Sequence, residues 1–349
     1  MCVYQPGQRG EAMKHKTFLW FVLPSMTLML LFIAMPIISV VTQSLYTSHD
    51  QVVITVENCG PFGCTEETTI DQDATAALRE AEPMGKFSGL DVYTDRNHLA
   101  VAEVAEAWRT SEDFGAALMN LPFYRSMAFT LTYTFVVTPL TIIAGFFIAI
   151  AVNSVAQALK GPTIFLSLLP MIVTPLVGAL ILFWMVDADG ILGNALQWLA
   201  DDSQLSVKAS TPLMWIMLMV YGIWSSAPFA FVVFYAGLQT VNQDTLEAAM
   251  IDGASRWERI QHVVIPHLYP LVTFVALIQL MDNFRVFEPI VSFSAQAHAQ
   301  SLSYAIFNDL RGETQLLSSA AATSVLTIIG VAILLSPVLV RTYRDFDNK

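Results

Sequence analysis

The sequence predicts an all-α integral membrane protein with six transmembrane helices and a small external insert between the first and second helices. Two observations predict this class. The 349 residues are 55% hydrophobic and only 13% charged, whereas charged residues make up about 25% of a typical soluble domain. The chain also contains several apolar stretches long enough to cross a hydrocarbon core, which takes about 20 residues. A chain with so few charged residues belongs in a bilayer, where apolar side chains can face the lipid without penalty.

The predicted spans follow from hydropathy alone. They lie near 17–41, 127–152, 163–186, 212–236, 269–291 and 319–340.

The first span could be confused with a secretory signal peptide, because Arg9, Lys14 and Lys16 precede it. Its apolar run is too long for that interpretation, since signal h-regions run about 7 to 15 residues and end in a small-residue cleavage site. We therefore expect a short tail, 1–16, followed by a retained helix over 17–41.

The acidic charge of the chain is concentrated in one segment. The formal net charge is -12, and 14 of the 29 acidic residues fall between Asp50 and Asp113. This segment lies within the predicted insert, 42–124, where 74–82 and 99–108 are typical of helices. Because the rest of the chain is nearly balanced and has no basic run, nucleic-acid binding has no support.

The orientation follows from lysine and arginine residues in short loops, which favour the cytoplasmic side. Only Lys208 and Arg311 fall in the short loops that this arrangement places outside, while Arg125 and Arg285 near outer helix ends weaken the bias without reversing it. Both termini are therefore predicted to be cytoplasmic. The residues that favour this orientation are Arg9, Lys14, Lys16, Lys160, Arg256, Arg259, Arg341, Arg344 and Lys349.

Two of the three cysteines, Cys59 and Cys64, flank a Gly-Pro-Phe-Gly sequence in the insert. An oxidising external compartment permits a disulfide between them. A metal site is the alternative, but no nearby histidine completes a tetrahedral set of ligands. We predict a disulfide and no metal site.

The segment 241–266, between the fourth and fifth spans, is longer than a tight helix connection requires. Asp244 with Glu247, and Ser255 with Glu258, have capping-box spacing, which predicts the starts of two short helices. Gly253 can adopt the left-handed conformation that ends the first helix, and Pro266 is expected to end the second.

Leu246, Met250 and Trp257 follow helical spacing in this segment, so they predict an apolar stripe that could dock on another protein. The alternative is a connecting loop that packs on its own helix bundle.

The same segment carries a family resemblance. Glu247, Ala248 and Ala249, then Gly253, then Val263, Ile265 and Pro266 resemble the EAA loop of binding-protein-dependent ABC importer permeases. Val263 and Ile265 replace the usual isoleucine and leucine. Asp252 and Trp257 resemble the version of this loop in the branch of the family that imports sugars and glycerol phosphates. The resemblance covers about 127–340 and includes Asn153, Pro170, Pro175 and the run 282–289.

The resemblance implies the ABC type I importer permease fold, with a core at 125–341 and a cytoplasmic tail at 342–349. It also implies that the EAA loop is a coupling helix seated on a separate ATPase, which would carry ATP and Mg²⁺. The chain has no Walker A sequence, so no catalytic residue and no cofactor are expected on it. The implied partners are a second permease subunit, an ATPase dimer, a periplasmic or lipid-anchored solute-binding protein, membrane lipid and a small solute, with a sugar favoured.

Polar residues within the fourth and fifth spans mark the expected solute pathway, because such residues are costly in a bilayer. The fourth span offers aromatic rings and hydroxyls suited to a sugar, and Gln279 and Asn283 in the fifth match sugar-site positions of related maltose permeases. Ordinary bundle packing is the alternative, and Asp282, Arg285 and Glu288 can neutralise one another. The predicted pathway residues are Tyr221, Trp224, Ser225, Phe229, Gln279, Asn283 and Arg285.

Pro170 and Pro175 predict a kink or hinge in the third span, because each removes a backbone donor.

Two other classes of function are alternatives to an importer subunit. A secondary transporter often shows repeated halves and broken helices at matching positions, which the sequence does not show clearly. A membrane-embedded enzyme would need a nucleophile–base pair or metal ligands within the spans, and the six histidines form no such set.

Overall fold

The computed structural model describes residues 15–47, 52–60, 63–82, 85–110, 113–202, 204–311 and 316–347. The chain divides into two compact units, Met1–Gly89 and Leu90–Lys349. The division runs through the segment predicted as the insert. Each unit is described by itself.

The first unit begins with a long apolar helix. It consists of α1 (His15–Met29), a π-helical turn (Leu30–Ala34) and α2 (Met35–Gln43). Leu19–Gln43 has a mean hydropathy of 2.3 and is long enough to span a membrane, which corresponds to the predicted span 17–41. The π-helical turn lies immediately before Pro36, and this wider turn accommodates a residue that lacks an N–H group.

Strands follow this helix, within the segment predicted as the external insert. β1 (Tyr46–Thr47) pairs with β4 (Lys86–Phe87), and β2 (Val53–Gly60) forms an antiparallel hairpin with β3 (Gly63–Ile70). The hairpin is rich in threonine and valine, which favour strands because their branched side chains fit a pleated surface.

Between β3 and β4 lies α3 (Gln72–Ala81), which corresponds to the helix predicted over 74–82. Asp71 caps it, since its side chain accepts a hydrogen bond from the Ala74 amide at 2.9 Å. The hairpin register places Cys59 opposite Cys64. The side chains of both cysteines lie outside the described part of the chain, so the disulfide stays a prediction.

The second unit begins with three short helices, α4 (Asp91–Thr94), α5 (Val101–Thr110) and α6 (Phe114–Met119). α5 corresponds to the helix predicted over 99–108. These helices are attached to the bundle, because the Tyr124 hydroxyl donates to the Leu99 carbonyl at 2.9 Å and His98 Nε2 lies 3.1 Å from the Ser319 carbonyl oxygen.

The long helices of the second unit form a helix bundle. They are α7 (Pro122–Ser154), the pair α8 (Gln157–Ile172) and α9 (Pro175–Met185), α11 (Thr211–Leu238), the span Arg256–Phe284 and α17 (Leu317–Asp347). A shorter helix, α10 (Ile191–Ala200), lies between α9 and α11. The described residues therefore contain five spanning helices, or six if the bent pair counts as one span.

The third span is bent far more than a kinked single helix over 163–186 would be. α8 and α9 meet at 93°, and the two residues between them, Val173 and Thr174, have extended backbones. A residue that precedes a proline disfavours the helical conformation, so Pro175 favours the extended backbone of Thr174 at the break. Pro170, which also predicted a kink, lies inside α8 without ending it.

Close contact between α7 and α11 forms the centre of the bundle. A Cβ added at Gly145 would lie 2.5 Å from Cβ of Ala230, and one added at Gly222 would overlap the Tyr133 hydroxyl. Small residues let helix backbones approach closely in membranes. The fourth predicted span, 212–236, lies within α11.

The fifth span differs from the prediction at both ends. Its helix runs through α13 (Arg256–Arg259), a π-helical turn (Ile260–Val264) and α14 (Ile265–Phe284). Pro266 was expected to end a short helix, and this prediction is wrong. The π-helical turn, in which the Ile265 amide bonds to the Ile260 carbonyl, carries the helix past the proline.

The predicted fifth span also extended to 291, whereas the helix ends at Phe284. A separate short helix, α15 (Glu288–Ser292), follows, and α16 (Leu302–Arg311) leads to α17. α17 continues to Asp347, so helix covers most of the predicted tail 342–349.

Candidate functional site

The EAA segment forms two short helices at one end of the bundle. α12 (Gln243–Ile251) is the first of them. Asn242 caps it by accepting from the Asp244 amide at 2.9 Å, so the prediction that Asp244 is the cap is wrong. Both residues can cap a helix, and the cap lies two residues earlier than the capping-box spacing indicated. Glu247 lies in α12, and its side chain is exposed.

Gly253 makes the turn between the two helices. Its φ is +81°, a value that residues with a Cβ atom rarely adopt. The Gly253 amide bonds to the Met250 carbonyl at 3.1 Å and the Ala254 amide bonds to the Ala249 carbonyl at 2.9 Å, which close the end of α12. The predicted role of Gly253 in ending the helix is confirmed.

The second helix, α13, starts with the predicted capping box. The Ser255 amide donates to Glu258 Oε2 at 2.7 Å, and the Glu258 amide donates to Ser255 Oγ at 3.3 Å. Each residue satisfies a backbone donor of the other. This reciprocal pair fixes the direction in which the fifth span begins.

The turn presents apolar side chains to the solvent. Ile251 is 87% exposed, Trp257 is 59% exposed and Met250 is 56% exposed. Leu246, which we placed on the same stripe, instead packs against the core formed by α7, α11 and α14. Sequence analysis overlooked Ile251, because its exposure depends on how α12 sits on the bundle. Ala248 and Asp252 are also exposed, and Ala249 is half-buried.

A cleft of about 460 Å³ lies beside α13. Arg256 and Arg259 line it together with Asn153, which lies at the end of α7. Nε of Arg259 is buried and has no hydrogen-bonding partner among the described residues. The cleft therefore offers positive charge and one unsatisfied donor next to the exposed apolar residues.

Gln279 and Asn283 are close together but buried. They are 4% and 6% exposed. Asn283 Nδ2 donates to Thr138 Oγ1 at 3.0 Å and lies 3.4 Å from Gln279 Oε1. Thr138 comes from α7, so the pair links the second span to the fifth within this chain. Their predicted part in a solute pathway stays a prediction.

The predicted pathway residues of α11 lie in different surroundings. The buried Tyr221 donates from its hydroxyl to the Pro175 carbonyl at 2.6 Å, at the bend of the third span. Trp224 is 40% exposed and lines an apolar cavity of about 430 Å³ with Pro170. Ser225 bonds within its own helix at 3.2 Å, and Phe229 packs in the core. Sequence analysis did not detect the Tyr221–Pro175 bond.

Arg285 forms an exposed ion pair with Asp282 at 2.9 Å. The pair agrees with the prediction that these charges neutralise each other. For Glu288, the remaining member of the predicted trio, the structure shows a position at the start of α15.

Relatives by sequence include the "Trehalose/maltose transport system permease protein MalF" of Thermococcus litoralis, which is 29% identical over 48% of this chain and 56% of its own length. The match therefore spans just over half of that relative. The "sn-glycerol-3-phosphate transport system permease protein UgpA" of Agrobacterium fabrum is 26% identical over 63% of this chain and 76% of its own.

Among solved structures, the "Crystal structure of a bacterial ABC transporter involved in the import of the acidic polysaccharide alginate" superimposes with a TM-score of 0.64. The alignment covers 94% of this chain and 96% of that one, at 18% identity. This likeness confirms the fold. The profile of one family matches residues 114–345, which include every element of the EAA segment and both parts of the bent span. The chain is thus a multi-pass protein of the inner membrane and belongs to the family of binding-protein-dependent transport system inner membrane components.

Proposed function

We propose that this chain forms half of the translocation pathway of an ATP-driven importer for a sugar or related small solute, and that the EAA segment couples it to a separate ATPase subunit. One observation carries the proposal. At the end of a bundle with the importer fold, a Gly253 turn exposes Ile251 and Trp257. Exposed aromatic and aliphatic side chains of this kind anchor protein interfaces when a partner buries them.

The cleft beside α13 supports the same docking face. Arg256 and Arg259 would meet acidic or hydroxyl groups of the ATPase, and Glu247 would meet basic ones, so the charges flank the apolar contact. The ATPase would carry ATP and Mg²⁺. A second permease subunit, forming a heterodimer, would complete the pathway, and a periplasmic or lipid-anchored binding protein would deliver the solute.

A sugar is supported by the named substrates of the relatives and by the chemistry of α11. The relatives carry trehalose or maltose and sn-glycerol-3-phosphate in their names. Trp224 presents a ring at a cavity, and aromatic rings stack on the apolar face of a pyranose. Gln279, Asn283 and Arg285 would contribute polar contacts once the helices separate in the transport cycle, because the first two are buried in this arrangement.

We further propose that both termini and the EAA segment face the cytoplasm of a bacterium. The distribution of lysine and arginine supports this orientation. The opposite end, which carries α15, α16 and the start of α7, then faces outside. Cysteine-accessibility labelling of intact cells tests it, and external labelling of a cysteine at position 257 would refute the orientation.

Two substitutions in the EAA segment test the coupling role. A side chain at Gly253 is strained at a φ of +81°, so Gly253→Asp should tilt the docking surface. Trp257→Ala removes a candidate anchor. Each variant should reduce solute-stimulated ATP hydrolysis of the assembled transporter by at least about tenfold, which corresponds to roughly 1.4 kcal/mol of lost coupling.

Trp198→Ala is the matched control, because Trp198 is 83% exposed in α10, away from the EAA segment. It should leave stimulated hydrolysis unchanged. The solute affinity of the binding protein should be the same for all variants. Normal ATP-dependent uptake by both Gly253→Asp and Trp257→Ala would show that this segment is not the coupling element.

A further inference from the structure

A polar cavity of about 270 Å³ lies at the end of the bundle opposite the EAA segment. We call it the outer cavity. It lies between the start of α7, the segment before α16, α16 itself and the first turns of α17. The residues that line it are Asn97, Pro122, Phe123, Ser126, Gln296, Gln300, Leu302, Tyr304, Ala305, Asn308, Asp309 and Thr323.

Two residues of the outer cavity that carry a hydroxyl group have low overall exposure. Ser126 is 1% exposed and Thr323 is 4% exposed. Neither hydroxyl has a hydrogen-bonding partner within the part of the chain that the structure describes, although most threonines of the bundle bond to a carbonyl of their own helix. Because both residues line the cavity, their hydroxyls can donate to and accept from a polar occupant there.

Asp309 supplies an acceptor that is already oriented. Its Oδ2 accepts from Ser319 Oγ at 2.6 Å, and the carbonyl of Ser319 lies 3.1 Å from His98 Nε2. This chain of bonds holds the carboxylate against α17, and the structure shows no described residue bonded to Oδ1. Gln300 is fixed in a similar way, because its amide nitrogen donates to the Gln296 carbonyl at 3.1 Å, and no described residue is bonded to its side-chain oxygen.

The charge of the lining restricts the class of ligand. Of the described residues that line the outer cavity, none is Lys, Arg or His, and Asp309 is the single ionisable carboxyl group. An anionic ligand would face repulsion from that carboxylate without compensation. Amide, hydroxyl and carboxylate groups beside the rings of Phe123 and Tyr304 instead suit a molecule with several neutral hydroxyls and an apolar face. Ligand pockets for larger, drug-sized molecules measure roughly 300 to 1,000 Å³, so the outer cavity fits about one sugar ring.

We propose that the outer cavity is a binding site for a single neutral pyranose, held at the external face outside the pathway lined by the transmembrane helices. Thr323, Ser126 and the free oxygen of Asp309 hydrogen-bond to its hydroxyls. The choice of a sugar rests on the proposed function, whereas the preference for a neutral polyhydroxylated ligand rests on the cavity itself. Such a site would hold a sugar unit near the point where the binding protein releases it.

The test measures sugar binding to the assembled transporter in lipid nanodiscs, with the binding protein omitted so that it contributes no binding. Equilibrium dialysis is carried out with radiolabelled D-glucose, D-galactose, D-mannose and D-glucuronate. At least one neutral hexose should bind to a single saturable site, and D-glucuronate should bind more weakly. Thr323→Val, which keeps the shape and removes the hydroxyl, should weaken binding by roughly three- to tenfold.

Thr327→Val is the matched control. Thr327 lies one turn further along α17, and its hydroxyl bonds to the Thr323 carbonyl at 2.7 Å, so this substitution removes a buried hydroxyl outside the cavity lining. It should leave binding unchanged. Ala305→Trp, which fills the cavity, should abolish binding, and recovery of the assembled complex shows whether that variant folds.

Two outcomes would overturn the proposal. One is the absence of saturable binding of all three neutral hexoses. The other is binding that is unaffected by Thr323→Val and Ala305→Trp but is lost in Gln279→Ala, which would place the sugar among the transmembrane helices. Either result leaves ATP-driven uptake and its dependence on Gly253 untouched, so failure of this site can be distinguished from failure of the proposed function.

Discussion

The connecting segments at the two ends of the helix bundle differ in how far the chain itself satisfies their contacts. At the outer end, the segment before α16 is tied down by the chain itself. The Trp215 indole donates to the His298 carbonyl at 2.9 Å, and the fully buried Ser301 donates to the Val286 carbonyl at 2.6 Å. At the EAA end, Ile251 and Trp257 are exposed, and a Cβ at Gly253 would meet no atom within 4 Å. The comparison indicates where we expect the ATPase, because the connecting segment at the EAA end leaves its apolar contacts unmade.

The largest expected effect comes from placing a charge on the unpartnered surface. Ile251→Asp should weaken association with the ATPase by at least about thirtyfold, since a central apolar anchor typically contributes 2 kcal/mol or more. The thermal stability of the isolated chain should not change, because Ile251 is 87% exposed. Co-purification and a titration of ATPase binding measure the first quantity, and thermal unfolding in detergent measures the second.

Ile191→Asp provides the control for this prediction. Ile191 is 78% exposed at the start of α10. If Ile251→Asp and Ile191→Asp weaken ATPase association equally, the difference between the two ends has no functional meaning.

The opposite pattern is expected at the outer end. Ser301→Ala removes the donor to Val286 and the acceptor for the Tyr304 amide, which it bonds at 3.1 Å. The loss should lower the free energy of unfolding by about 1 to 3 kcal/mol, because buried groups are left unpaired. ATPase association at the other end should persist in molecules that remain folded.

Ser303→Ala is the comparison variant, since Ser303 lies two residues after Ser301, in the first turn of α16, and is only half-buried. Equal melting temperatures for Ser301→Ala and Ser303→Ala would contradict the view that the outer end is held by its own hydrogen bonds.

A smaller effect distinguishes the observed helix cap from the one that the sequence indicated. Asn242→Ala removes the cap of α12 and should destabilise that helix by about 1 kcal/mol. Asp244→Ala should cost only about 0.3 to 0.5 kcal/mol, through the lost charge near the helix start. Hydrogen exchange of the amides of α12 measures both. A larger effect for Asp244→Ala would reverse the assignment.

The smallest effect concerns an ion pair at the outer end. Lys208 binds Asp187, and its ammonium lies 3.4 Å from the centre of the Phe183 ring. The hydrogen bond from Lys208 lowers the pKa of the Asp187 carboxyl below its usual value. A lowered pKa means that the stabilisation is present above about pH 4 and is lost as the pH falls through the folded-state value.

Lys208→Met should therefore flatten the acid side of the stability profile slightly, because the carboxyl loses its partner. Thermal unfolding between neutral pH and about pH 3 measures the difference. Coinciding profiles for the two proteins would show that the pair contributes nothing to the outer end.

Sequence reasoning succeeded where one residue type dictates a local conformation. Gly253 and the Ser255–Glu258 pair act over a few residues, so their chemistry is visible in the sequence. Long-range consequences were not visible. The bond between Asn283 and Thr138 joins residues 145 positions apart, and the 93° bend depends on how α8 and α9 pack after Pro175 has broken the helix.

The spans themselves were predictable, because hydropathy locates them without any knowledge of contacts. Their ends were less so, as Pro266 shows. A proline predicts the loss of one hydrogen bond, and whether the chain then stops or widens into a π-helical turn depends on the apolar residues around it. For the outer cavity, the lining residues are scattered from Asn97 to Thr323, so no local pattern announces it.

The π-helical turn before Pro266 keeps the fifth span continuous, so movement at one end of the helix can be transmitted to the other. Because the helix is continuous from Arg256 to Phe284 over 29 residues, it is about 43 Å long. One end of this helix begins at the Ser255–Glu258 pair on the docking face, and the other end carries Gln279 and Asn283. If the helix axis rotates by about 5° about its first end, its far end shifts by about 4 Å. This shift is larger than the 3.0 Å between Asn283 Nδ2 and Thr138 Oγ1, so it is large enough to break that hydrogen bond. Movement imposed at the docking face would thus reach the buried amide pair through one continuous helix.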